Sequence, residues 1–113
     1  MNFKEYFKFE SEVIPINLIT QLTEKELDDL YSSNDETLQF NVFFILLNEY
    51  HYLKKEKAKE ELAHVCYLLS YYLFIPLTPP HSEELALAYA EEALNYSENS
   101  KYAEWIEEVK RGN

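Results

Sequence analysis

The sequence predicts an all-α fold of five to six antiparallel helices, built as a single domain over residues 1–113. Three observations predict it. Hydrophobic residues make up 47% of the chain and aromatic residues 16%, which favours a packed core over disorder. Glycine occurs only at Gly112, whereas a mostly-β chain needs glycine at several turns. Apolar residues recur at helical spacing. We expect an aromatic N-terminal arm over residues 1–22 and a helical body over residues 23–113.

The N-terminal arm is compatible with more than one local structure. Phe3, Tyr6 and Phe7 share one face of a helix, but Phe7 and Phe9 also fit the alternation of a strand. Pro15 either interrupts a helix or begins a short one. That short helix would carry Ile16, Ile19 and Leu22. In each case the aromatic residues lead us to expect that the arm docks on the body.

Two capping-box sequences predict the next two helices. Thr23 can cap a helix over about residues 24–31, with the Glu26 carboxylate reaching back to the Thr23 N–H. The same pattern starts at Ser33 and predicts a helix over about residues 34–53. This second helix is apolar nearly all round, so we expect it to be central, with neighbours on more than one face. Its apolar residues are Phe40, Val42, Phe43, Phe44, Ile45, Leu46, Leu47 and Tyr50.

The predicted fold is organised around a helical hairpin over residues 60–94. The apolar stripe of its first helix consists of Leu62, Val65, Leu69, Tyr72 and Leu73. A proline-rich turn over residues 76–80 ends that helix, and Ser82 opens the second. The stripe of the second helix consists of Ala86, Tyr89, Ala90, Ala93 and Leu94. Its small residues allow the two helix axes to approach closely.

A last amphipathic helix follows the hairpin. Asn99 or Ser100 is expected to cap it. Lys110 and Arg111 favour the negative end of its dipole, and Gly112 suits the position that follows a helix end. Its apolar stripe consists of Tyr102, Trp105, Ile106 and Val109.

The net charge restricts the class of partner. The chain has 21 acidic and 10 basic residues, which gives a formal charge of −11, and its only arginine is Arg111. Such a charge repels phosphate backbones, and the guanidinium groups that read nucleic acid are missing. We therefore expect neither nucleic acid nor an anionic membrane as a partner. A basic protein surface is favoured, because opposite charges accelerate encounter.

Residues that would indicate an enzyme or a metalloprotein are few. Glu61 and His64 have the spacing of a di-iron helix, but the second pair that such a site needs is missing. Cys66 and His64 lie two positions apart, so on a helix their side chains diverge. We expect Cys66 to be a buried, inert thiol. No glycine-rich phosphate loop exists. We therefore predict no enzymatic activity, no metal and no cofactor.

Three features predict a cytoplasmic protein. The single Cys66 cannot form an intramolecular disulfide, as is usual in a reducing compartment. The N-terminus is charged where a signal peptide needs an apolar run, with Lys4, Glu5 and Lys8 among its first residues. The most apolar stretch, residues 65–77, is shorter than the roughly 20 residues of a membrane span.

The segment between Glu60 and Ser100 is acidic and contains no lysine or arginine. Glu84 and Glu91 are seven positions apart and so lie nearly on one helical face. Such a run can be a solvated face, and its tyrosines can be ordinary core and boundary residues. Carboxylates beside tyrosines are also typical of protein-binding surfaces. We predict the following partner contacts: Glu60, Glu61, Tyr67, Tyr71, Glu83, Glu84, Tyr89, Glu91, Glu92 and Tyr96.

Part of the chain resembles a tetratricopeptide repeat. The residues that resemble the second helix of such a repeat are Ala86, Ala90, Ala93 and Leu94. Leu68 and Tyr72 resemble the Leu and Tyr of its first helix, and Trp105 resembles the opening of a following repeat. The loop between Tyr72 and Ala86 is about five residues longer than the 34-residue unit allows. The resemblance covers about residues 56–111 and implies a tetratricopeptide-like helical stack.

In general character, the chain resembles the immunity proteins of bacterial toxin systems, including contact-dependent growth inhibition. Those proteins are also small, strongly acidic, cytoplasmic single domains that are rich in Tyr and Phe. The resemblance implies 1:1 binding to a basic toxin domain of the nuclease type, whose cationic site the protein covers. The alternative is a helical-repeat adaptor or a secretion chaperone that holds a peptide segment in its concave face.

Overall fold

Helices account for all the regular secondary structure in residues 3–8 and 10–112, the part of the chain that the computed structural model describes. The predicted all-α class and the number of helices are confirmed. The suggested strand alternation of Phe7 with Phe9 involves a residue outside the described ranges. The elements are a short 3-10 helix at Phe3–Tyr6, then α1 at Ile16–Ile19, α2 at Glu24–Tyr31, α3 at Glu36–Glu56, α4 at Lys59–Phe74, α5 at Ser82–Tyr96 and α6 at Ser100–Arg111.

The central helix is α4. It contacts α1, α2, α3 and α5 along its length, and Trp105 of α6 packs on it as well. Residues on every side of α4 are therefore buried, including the small Ala63, Cys66 and Ser70. These small residues allow several neighbouring helices to approach the same axis.

The expectation that the second capped helix, α3, would be the central one is wrong. Phe40 is 61% exposed and Phe44 is 45% exposed, so α3 has an outer face. Only its inner face, with Leu38, Val42 and Leu46, is buried. Both α3 and α4 are apolar nearly all round, and only one helix can occupy the middle of so small a fold. That place belongs to α4, which packs against α5 within the hairpin and also against α3, α2 and α1.

The predicted hairpin of α4 and α5 is confirmed as the most extensive helix pair. Ala86, Ala90 and Ala93 of α5 are buried against α4, as their small size suggests. The Ser70 hydroxyl of α4 donates to the carbonyl of Ala86 at 2.6 Å. A turn over residues 75–81 connects the two helices, and its Leu77 N–H bonds back to Tyr72. The last helix, α6, packs against both members of this pair.

The helix starts match the predicted caps at α2 and α6 but not at α3. Thr23 caps α2, where the Glu26 carboxylate accepts from the Thr23 N–H at 3.0 Å. The side chain of Asn99 caps α6 by accepting from Lys101 N–H. At α3 the cap is Asp35 rather than Ser33, because Asn34 has a positive φ of 60° and separates Ser33 from the helix. Accordingly α3 covers Glu36–Glu56 rather than about 34–53.

The N-terminal arm docks on the body, as predicted. Its core residues are Phe3, Phe7, Ile14, Ile19 and Leu22, all of which are buried. Pro15 begins a short helix rather than interrupting a longer one, as the second alternative predicts, but α1 ends at Ile19 and does not include Leu22. Two polar side chains of the body also bind the main chain of the arm. Glu49 accepts from the Ile14 N–H at 2.8 Å, and His64 bonds to the carbonyl of Leu22 at 2.7 Å.

Candidate partner-binding surface

An open groove lies between the outer faces of α5 and α6. It consists of two adjoining depressions of about 600 Å³ each that share Leu94, Asn95 and Ala103. Leu94 is half-buried and Ile106 is buried, and these two side chains form an apolar floor. We call this feature the α5–α6 groove. Its lining consists of Glu91, Leu94, Asn95, Glu98, Asn99, Ser100, Ala103, Ile106, Glu107 and Lys110.

Carboxylates dominate the charged lining of the groove. Glu91 comes from α5, Glu98 from the connection to α6 and Glu107 from α6, while Lys110 is the only cation among the lining residues that the structure describes. In residues 3–8 and 10–112, none of the three glutamates forms an ion pair. All three are exposed. Their charges therefore point into solvent, beside an apolar floor.

The helical register of α5 extends this acidic surface towards the hairpin turn. Glu84, Ala88, Glu91 and Asn95 are spaced by three or four residues and are all exposed, so they form one outer stripe. The His81 ring lies 3.6 Å from the Glu84 carboxylate at the start of that helix. The predicted shared face of Glu84 and Glu91 is thus present, and Glu83 is exposed in the same first turn.

Two predicted contact tyrosines belong to the packing of α4 instead. Tyr67 is only 5% exposed, and its hydroxyl donates to Glu24 of α2 at 2.7 Å. Its proposed place on an exposed surface is therefore wrong. Tyr71 is half-buried, and its hydroxyl donates to Asp28 at 2.9 Å. Carboxylates from α2 satisfy both hydroxyl groups, which is what allows these rings to leave the solvent.

Tyr89, Glu92 and Tyr96 face α3 rather than the groove. The Glu92 carboxylate accepts from Tyr50 of α3 at 2.6 Å and from Tyr96 at 3.3 Å. The rings of Tyr50 and Tyr89 pack edge to face, with their centroids 5.7 Å apart. All three predicted contacts are half-buried: Tyr89 and Glu92 contact Tyr50 of α3, and Tyr96 donates to Glu92 within α5.

Glu60 and Glu61 lie in the first turn of α4, apart from the lining of the groove. Glu60 is exposed and accepts from the Ser97 hydroxyl at 2.9 Å, while Glu61 is half-buried. The ten predicted contact residues therefore do not lie on one surface. The acidic outer face of α5 includes Glu83, Glu84 and Glu91, and the other seven lie in seams or at the start of α4.

Sequence reasoning did not assign the α6 side of the groove or Glu98. Ala103, Ile106, Glu107 and Lys110 follow the helical spacing of a single face. The signal that could have identified them is the exposed Ala103 beside Ile106, which widens the apolar stripe of α6 towards α5. In this way Ala103 adds an exposed apolar position to the face of α6 that lines the groove.

Nearby lysines do not neutralise the acidic face. Within the described part of the chain, Lys54, Lys55, Lys57 and Lys59 form no ion pair with any predicted contact glutamate. Lys54 instead donates to the Tyr50 hydroxyl at 3.3 Å. The negative potential of α5 is therefore available to an external partner.

Cys66 and His64, the side chains considered as a nucleophile and a metal ligand, both have structural roles in the fold. Burial raises the pKa of the Cys66 thiol, so the thiolate is disfavoured. The His64 ring nitrogen Nε2 is bound to the Leu22 carbonyl. Among residues 3–8 and 10–112 no group of three His, Cys, Asp or Glu side chains could hold a metal ion.

In residues 3–8 and 10–112 no helix has the length and apolarity needed to cross a membrane. Comparisons with protein-family models, with curated proteins and with solved structures give no match for this chain.

Proposed function

We propose that this chain is a protein-binding protein that neutralises a basic partner through the α5–α6 groove. The observation that supports it is the combination of Glu91, Glu98 and Glu107 with the apolar floor at Leu94 and Ile106. Protein interfaces combine a desolvated apolar centre with a polar rim in this way. The unpaired carboxylates would accelerate encounter with a cationic surface, and the apolar floor would retain it.

The partner that best fits this surface is a toxin domain of the nuclease type. A nuclease binds a phosphate backbone, so its active site is electropositive. An acidic cover over that site would compete with the nucleic acid and inhibit the enzyme in a 1:1 complex. In this proposal the chain is an immunity protein that acts in the cytoplasm, and its charge of −11 serves recognition.

The proposal is tested by association kinetics with the basic protein encoded beside this chain or retained by it in a pull-down. The test variant combines Glu91→Gln, Glu98→Gln and Glu107→Gln. The matched control combines Glu10→Gln, Glu12→Gln and Glu56→Gln, which removes the same charge from exposed positions outside the groove. We expect the test variant to associate about tenfold more slowly at low salt, and the control to change by less than about twofold.

Two outcomes would contradict the proposal. An equal fall in the association rate of the two triple variants would show that the net charge alone sets this rate, with no contact at the groove. An association rate of the unmodified chain that does not fall as salt rises would remove the electrostatic basis altogether.

A tetratricopeptide-like adaptor or a secretion chaperone is the second candidate. The observation that favours it is the open form of the groove, which follows two neighbouring helices and could hold a linear segment. Such a protein would bind unfolded or linear peptides with micromolar affinity, whereas an immunity protein would bind one folded domain tightly. Titration with the folded partner and with its denatured, non-refolding form separates the two.

A further inference from the structure

Glu49 of α3 is a buried carboxyl group of which one oxygen is hydrogen-bonded and the other has no partner among the described residues. Its side chain is 0% exposed. Oε1 accepts from the Ile14 N–H of the N-terminal arm at 2.8 Å. Oε2 has no hydrogen-bond partner among the residues that the structure describes. A buried ionised oxygen without a partner is costly, so this position suits a protonated carboxyl better than a carboxylate.

The Ile14 N–H that Glu49 binds belongs to the N-terminal arm, of which the structure describes residues 3–8 and 10–22. Its docking buries apolar side chains such as Phe7 and Ile19, and Glu49 and His64 add two polar anchors to its main chain. The Leu22 carbonyl can only accept, so His64 presents a protonated Nε2 to it. Two ionisable side chains of the body therefore hold the arm by its backbone.

Among residues 3–8 and 10–112, no charged side chain contributes to the environment of Glu49. Its neighbours one helical turn away on α3 are Ile45, Leu46, Tyr52 and Leu53. The arm contributes the Ile14 N–H, which favours the ionised form, but burial outweighs it and raises the pKa of Glu49 to about 7. The charged side chains near the second anchor are Glu24 and Lys101, which act on His64.

We propose that the arm is a pH-sensitive latch, closed when Glu49 is protonated and loosened when Glu49 ionises. Loosening exposes the carboxylate to water, where it is solvated. Because the folded pKa is raised, the contribution of Glu49 to docking is fully present below its ordinary pKa of 4.5 and is lost as the pH rises through about 7. The docking equilibrium should therefore weaken about tenfold between about pH 6 and about pH 8.

Hydrogen exchange of the intact chain tests this latch, with protection factors that correct for the intrinsic effect of pH. We expect the protection of the Ile14 amide to fall about tenfold from about pH 6 to about pH 8, while amides of α4 keep theirs. Glu49→Gln, which cannot ionise, should abolish this fall. Glu56→Gln on the same helix is exposed and should retain it. Since His64 titrates in both variants, the difference between them isolates Glu49.

Several outcomes would overturn the latch: a pH-independent Ile14 amide, the same fall in Glu49→Gln, or an equal loss of protection throughout α4. If Glu49→Gln does not fold, the carboxyl carbon of Glu49 in the unmodified chain can be followed by NMR. A midpoint near about 7 supports the latch, whereas a midpoint near the ordinary 4.5 contradicts it.

Discussion

The indole of Trp105 donates a hydrogen bond to the Ser70 hydroxyl at 2.7 Å, and the same hydroxyl donates to the carbonyl of Ala86 at 2.6 Å. One buried oxygen on α4 thus connects α6 with α5. A hydroxyl is well suited to this role because it donates and accepts at once.

Replacing this connection should destabilise the fold. Ser70→Ala leaves the Trp105 N–H without its partner, so we expect a loss of about 1–3 kcal/mol in the free energy of unfolding. Ser32→Ala is the control, because the Ser32 hydroxyl donates only an exposed hydrogen bond to the Asp29 carbonyl. This substitution should change the free energy of unfolding by less than about 0.5 kcal/mol. Urea unfolding measures both. A double-mutant cycle with Trp105→Phe should give a coupling of about 1 kcal/mol, and additive losses would contradict the connection.

The Tyr67–Glu24 bond should make stability depend on pH on the acid side. Burial acts to raise the pKa of Glu24, but hydrogen bonds from Tyr67 and the backbone, together with Lys101, outweigh it and lower that pKa. A lowered carboxyl pKa stabilises the fold above the ordinary value of 4.5, and that stabilisation is lost as the pH falls through the folded pKa. Tyr67→Phe should therefore cost about 1 kcal/mol at neutral pH and less at about pH 3.

Tyr52→Phe is the matched control for this pH series. Tyr52 is half-buried, and its hydroxyl forms no hydrogen bond within residues 3–8 and 10–112. Tyr52→Phe should change the free energy of unfolding only slightly, and by the same amount at every pH. A Tyr67→Phe deficit that is as large at about pH 3 as at neutral pH would show that the ring packing, rather than the bond to Glu24, was lost.

The start of α3 gives a comparison of two neighbouring residues. Asp35 accepts from the Leu38 N–H at 3.2 Å, whereas Ser33 donates to the Leu30 carbonyl at the end of α2. We expect Asp35→Ala to lower the free energy of unfolding by about 1 kcal/mol, and Ser33→Ala to change it by less than about 0.5 kcal/mol. The reverse order in urea unfolding would restore Ser33 as the cap.

Blocking the α5–α6 groove should weaken partner binding without unfolding the chain. Ala103 is exposed, so Ala103→Arg adds bulk and positive charge with a stability change below about 0.5 kcal/mol. We expect affinity for the basic partner to fall at least about tenfold. Thr37→Arg adds the same charge at an exposed position on α3 and serves as the control. Equal affinities of the two variants in calorimetric titration would place the interface elsewhere.

Local signals predict much of this fold. The capping box of Thr23 and Glu26, the proline-rich turn and the cap at Asn99 are all interactions between residues that are close in sequence. The helices α2 and α6 begin where these caps predict. The choice between α3 and α4 as the central helix depends on which helix the others surround. No local periodicity contains that information, because both helices are apolar on most faces.

The candidate surface was predictable on the α5 side only. The spacing of Glu84 and Glu91 follows from the helical repeat, and both are exposed. The burial of Tyr67 could not be foreseen, because its hydroxyl is satisfied by a carboxylate 43 positions earlier in the chain. A tyrosine whose hydroxyl lacked such a partner would have stayed in contact with water.

The single tryptophan has a practical consequence for studies in solution. Trp105 is surrounded by the rings of Tyr67, Tyr71 and Phe74, all of α4, and within residues 3–8 and 10–112 none of its ring contacts comes from the N-terminal arm. Intrinsic fluorescence will therefore report separation of α6 from α4 and remain silent when the first twenty or so residues detach. A denaturation curve followed by Trp105 emission alone would therefore not record the detachment of the arm that the latch proposal predicts.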